Sequence, residues 1–106
     1  MRRYISNYTI LASGEERVNH ITTLDDDGKL ISIEPFDREL GNTLYVPIPL
    51  CVAPAGSVEQ IIEVFQRSTS RRQFKQLLAA THLSWHQDGV MTVLALDFAH
   101  NSTKQL

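Results

Sequence analysis

Hydrophobic and polar positions follow a two-residue period through the first third of the chain and a helical period after Gly56. From Arg3 to Ala12, β-branched and aromatic residues dominate (Tyr4, Ile5, Tyr8, Thr9, Ile10), and Ser13-Gly14-Glu15-Glu16 then supplies turn chemistry. Val18 to Leu24 reads as a second strand. Asp25-Asp26-Asp27-Gly28 reverses the chain as a hairpin turn, and Leu30 to Ile33 reads as a third strand, which Pro35 is expected to stop by removing a backbone donor. The three form an antiparallel meander. In the second strand, Val18, His20, Thr22 and Leu24 share one face and Asn19, Ile21 and Thr23 the other, and neither face is cleanly apolar.

Thr43-Leu44-Tyr45-Val46 has strand composition, but Pro47, Pro49 and Pro54 punctuate the next stretch, so a short strand and then irregular chain are expected. The apolar Ile48, Leu50, Cys51 and Val52 need burial, which lays this segment across the meander. Ser57-Val58-Glu59-Gln60 has the form of a capping box, and Val58, Ile61, Ile62 and Phe65 recur on one helical face. A second box, Ser70-Arg71-Arg72-Gln73, precedes Phe74, Leu77, Leu78 and Thr81 at the same spacing. After the Asp88-Gly89 turn signal, Val90 to Leu96 is apolar on both parities. That pattern suits a strand buried on both faces, placed mid-sheet beside the N-terminal strands. Asn101 to Leu106 reads as a short edge strand or a frayed tail.

These elements predict an α+β fold: a small, twisted, mostly antiparallel sheet, built from a β-meander plus a C-terminal strand, packed with two helices. The 106 residues make one domain, with a β-rich portion over 1–56, a helical pair over 57–87 and a returning strand over 90–97. Ten Lys and Arg against twelve Asp and Glu leave a net charge of -2, which supplies no basic field for nucleic acid or an anionic membrane. No stretch approaches the roughly 20 apolar residues of a membrane helix. Polar residues interrupt the N-terminus too soon for a signal peptide, and the lone Cys51 fits a reducing compartment, so the cytoplasm is the expected location.

Several side-chain groups could carry chemistry. His82 and His86 stand at the four-residue spacing with which one helical face presents two imidazoles to a metal ion; Asp88, Asp97 and His100 are candidate further ligands. The alternative is a helix end with two packing or surface histidines. Asp25, Asp26 and Asp27 have the oxygens of a calcium loop, but Lys29, Leu30 and Ile31 stand where further ligands belong, which favours a solvated hairpin tip. Arg67, Arg71, Arg72 and Lys75 surround a helix N-terminus and form an anion-binding candidate. Cys51, between Leu50 and Val52, reads as a packed thiol rather than a nucleophile. Tyr4, Tyr8 and Tyr45 could stack a base or sugar, or pack across strands.

Residues 3–54 as a whole resemble the N-terminal β-segment of the amidohydrolase superfamily of metal-dependent hydrolases. Tyr4 to Leu11 resembles that family's first strand, Val18 to Ile33 its hairpin with Asp-Asp-Gly-Lys and Ile-x-x-Ile character, and Gly41 to Cys51 its return. Ser57 to Ala80, Asp88-Gly89 and Thr92 to Asp97 distantly resemble the C-terminal portion that joins the N-terminal strands in one composite sheet. The resemblance implies a sheet scaffold. It does not extend to the catalytic part: Pro49-Leu50-Cys51-Val52-Ala53-Pro54 stands where the family shows Pro-Gly and a His-x-His pair, and a catalytic barrel takes about 250 residues.

The functional expectation is a non-catalytic β-sheet module that binds a protein partner or a second copy of itself, with no cofactor. Tyr45, Ile48, Leu50 and Val52 are its expected contact residues, because this Pro-rich segment is more apolar than a solvated loop. The competing readings are a small metal-binding protein or enzyme using His82 and His86, and an anion-binding module at the Arg67–Lys75 junction.

Overall fold

The structure is a computed structural model and describes residues 1–36, 43–81 and 89–106. Its strands are β1 (Arg2–Leu11), β2 (Glu16–Leu24), β3 (Leu30–Pro35), β4 (Thr43–Val46), β5 (Leu50–Pro54), β6 (Met91–Asp97) and β7 (Ser102–Gln105), and its helices are α1 (Val58–Gln66) and α2 (Arg71–Ala80). The strands form one mixed, mostly antiparallel sheet in the order β3-β2-β1-β5-β6-β7, with β4 also paired to β1. The α+β class and the two packed helices are as the sequence pattern predicts.

β1, β2 and β3 form the expected antiparallel meander. At the β2–β3 turn, Gly28 adopts a left-handed conformation, and the Asp25 carboxylate accepts the backbone amides of Asp27 and Lys29, both at 2.9 Å. Pro35 does not end the third strand early. It pairs opposite His20 at the edge of the sheet, where among the described residues no further strand requires its missing amide, and Phe36 donates to the Asn19 carbonyl beyond it.

The mixed parity of the second strand has a structural cause. Tyr4 and Ile10 are both even-numbered residues of β1, yet Tyr4 packs in one core cluster and Ile10 in the other, on opposite faces of the sheet. The reversal falls at Asn7 and Asn19, which the β1–β2 register skips, and Asn19 takes φ 55°. An Asn tolerates this left-handed conformation better than most residues. On one side of the reversal, Glu16 faces the helices; on the other, Thr22 and Leu24 are buried.

β4 and β5 run consecutively along the same edge of β1, both parallel to it. Ser6 pairs with Val46 and Thr9 with Leu50, so Pro47-Ile48-Pro49 accommodates one residue more than the facing stretch of β1. Neither proline can donate to the ladder. The buried Ser6 hydroxyl makes a separate bond across this interruption, donating to the Ile48 carbonyl at 2.8 Å. The chain after Pro49 is therefore a central strand, and the expectation of irregular chain there is corrected. β6 lies between β5 and β7, so β5 separates it from the N-terminal meander beside which it was expected. The tail forms the short edge strand β7.

Two clusters fill the two faces of the sheet. On one, Ile61, Val64 and Phe65 of α1 and Phe74 and Leu78 of α2 cover Ile10, Cys51, Ala53, Leu94 and Leu96. Phe65, Phe74 and Phe98 meet with ring centroids 5.0 to 6.4 Å apart. The capping box of α2 closes through Ser70 Oγ, which accepts the Gln73 amide, while Gln73 reaches back to Thr69. The Ser57 box does not close: Ala55–Ser57 forms a 3-10 turn and the Ser57 side chain makes no cap bond to α1. On the other face the sheet curls toward itself around Tyr4, Leu24, Leu50, Val52, Met91, Val93 and Ala95. Thr92 Oγ1 donates to the Gly28 carbonyl at 3.3 Å, joining β6 to the distant β2–β3 turn.

Candidate functional site

The Arg67–Lys75 cluster is divided by the fold. Arg67 and Arg72 are exposed. The guanidinium of Arg71 lies 3.4 Å above the centre of the Tyr8 ring and donates to Glu16 Oε2 at 2.8 Å, and Lys75 Nζ stands 3.2 Å from that same oxygen. Arg71 and Lys75, one helical turn apart, are thus held by a carboxylate of β2 that is only 15% exposed. They tie α2 to the sheet, and the structure does not assemble the four cations around an open anion position. Glu16 is absent from the sequence-level candidates. Its signal was weak: a charged residue at the turn end of a strand, opposite Ile10, with no indication of the distant partner.

His82, His86 and Asp88 lie outside the described residues. Asp97 and His100, considered as further ligands, bond each other: the His100 ring donates to Asp97 Oδ2 at 2.9 Å and its backbone amide to Oδ1 at 3.1 Å. The ring's hydrogen bond holds the Asp97 carboxyl below the usual carboxylate range. Among the described residues no group of three or more His, Cys, Asp or Glu side chains converges as a metal site would require. Nor is any of their helices long and apolar enough to cross a membrane. Cys51 is fully buried, and burial pushes its thiol pKa up to about 12, so it presents no thiolate at neutral pH. Tyr4 is buried in the curled face and Tyr8 is covered by Arg71.

The apolar segment separates into two kinds of residue. Leu50 and Val52 are completely buried, because β5 sits between β1 and β6, and as contact residues for a partner they are corrected. Ile48 is partly buried against the core, and Tyr45 is 58% exposed. Leu44, missed at the sequence level, is 62% exposed beside it. Adjacent strand residues point to opposite faces, so β4 offers an apolar side chain on each. Among the described residues β4 pairs only with β1, leaving its outer edge without a strand partner.

Next to that edge lies a cleft of about 330 Å³ lined by Val46, Ile48, Ala95, Asp97, Ser102, Thr103, Lys104 and Leu106. The sheet register explains its composition. Lys104 pairs with Ala95 and Ser102 with Asp97, so alternate residues of β6 and β7 rise on one face beside Ile48. Ala95 is the small residue in this row, and the floor is apolar while Asp97 and Lys104 supply one charge of each sign.

The two terminal strands of the sheet differ from β4. β3 carries Glu34 and Pro35 and pairs with β2 through a register irregularity at Thr23/Leu24, and β7 carries Lys104. Charges, proline and bulges are the usual means of keeping an edge from recruiting another chain. Thr43-Leu44-Tyr45-Val46 contains none of them. Compared with protein-family models, with characterised proteins and with solved structures, the chain matches none.

Proposed function

We propose that this domain is a non-catalytic binding module that works by protein–protein association at the outer edge of β4, with the adjoining cleft receiving a partner side chain. The observation that carries the reading is the pairing of two exposed apolar residues, Leu44 and Tyr45, with an uncharged strand edge that has no partner among the described residues. An added strand would gain backbone hydrogen bonds from the edge and specificity from side-chain pockets. Burying Leu44 and Tyr45 contributes about 1.5–3 kcal/mol each, and the cost of association offsets much of that, so a dissociation constant on the order of micromolar or weaker is expected.

The composite-sheet resemblance fits the same proposal. The N-terminal meander and the returning β6 share one sheet, as in that resemblance, and the sequence has no His-x-His pair, both of which fit a binding role. Self-association is the form that can be tested with the chain alone. Sedimentation velocity across a concentration series should show reversible association for the wild-type chain and its loss in a Leu44→Lys/Tyr45→Lys double variant with unchanged melting temperature. A wild-type chain monomeric at millimolar concentration would contradict self-association, and equal association by the double variant would remove β4 from the proposal.

A further inference from the structure

We draw no further inference here: the strongest candidate, the apolar cleft between the β4–β5 junction and β7 with Asp97 and Lys104 at its rim, belongs to the docking surface already described, and nothing in the structure shows what covers it.

Discussion

Glu16 receives both Arg71 and Lys75 on one carboxylate oxygen, at 2.8 and 3.2 Å. This triad commits the two least exposed cations of the candidate anion site to an internal acceptor. Glu16→Gln leaves Arg71 and Lys75 close together and under-neutralised, and is expected to cost about 1–3 kcal/mol. Scanning calorimetry checks it. Millimolar phosphate should raise the variant's melting temperature and leave the wild-type value unchanged; an equal rise in both would show an anion site independent of Glu16.

The Ser6 hydroxyl bridges the place where Pro47 and Pro49 interrupt pairing along β1, donating to Ile48 and lying 3.1 Å from the Tyr8 carbonyl. Ser6→Ala removes the donor from the Ile48 carbonyl at a partly buried position, so a loss of about 1–3 kcal/mol is expected in urea unfolding. A change below about 0.5 kcal/mol, the scale of an ordinary surface substitution, would mean the hydroxyl does not support the junction.

The β1–β2 turn is fixed against α2. Gly14 has φ +89°, and a Cβ added there would lie 2.9 Å from the Lys75 carbonyl oxygen and 3.1 Å from Ala79 Cβ. Gly14→Ala combines an unfavourable backbone conformation with backbone crowding and should destabilise by about 2 kcal/mol or more. Gly56→Ala meets nothing within 4 Å and is the control, expected within about 0.5 kcal/mol of wild type. Equal melting temperatures for the two variants would contradict the packing of this turn.

Burial raises the Cys51 thiol from its ordinary value near 9 to about 12. Between those values the unfolded chain releases a proton that the folded chain keeps, so the unfolded state binds fewer protons and stability falls as pH rises. The Cys51 contribution is fully present below pH 9 and declines by about 1.4 kcal/mol per pH unit above it. Denaturant unfolding at pH 8, 9 and 10 should show a steeper decline for wild type than for Cys51→Ala. Matching slopes would contradict a buried, protonated thiol.

Where periodicity was continuous, the chain was legible. The meander, both helices and the doubly buried β6 reflect strand alternation, apolar residues three and four apart, and an unbroken apolar run. The features that escaped were non-local. Asn19 tolerates a left-handed backbone but does not by itself announce one inside a strand, so the reversal that sends Tyr4 and Ile10 to opposite faces appeared only as a poor alternation. The prolines argued against a strand at Leu50–Pro54, and the Ser6 hydroxyl that bridges to the Ile48 carbonyl between them lies 42 residues away in sequence. Glu16 and Arg71 meet across 55 residues. At the candidate site the hydrophobic character of Tyr45 to Val52 was legible, but the sheet order decides which of these residues face water. Leu50 and Val52 became core, and Leu44 became surface.

If the outer edge of β4 is a docking strand, its backbone amides must become protected when a partner binds. Hydrogen exchange of a peptide spanning Thr43–Val46, measured at increasing protein concentration, reads this protection at the strand itself. Exchange should slow across Thr43–Val46 as concentration rises, while peptides from α1 and α2 are unchanged, and the Leu44→Lys/Tyr45→Lys variant should show no such slowing. Association detected by sedimentation without any change in Thr43–Val46 exchange would contradict docking at β4.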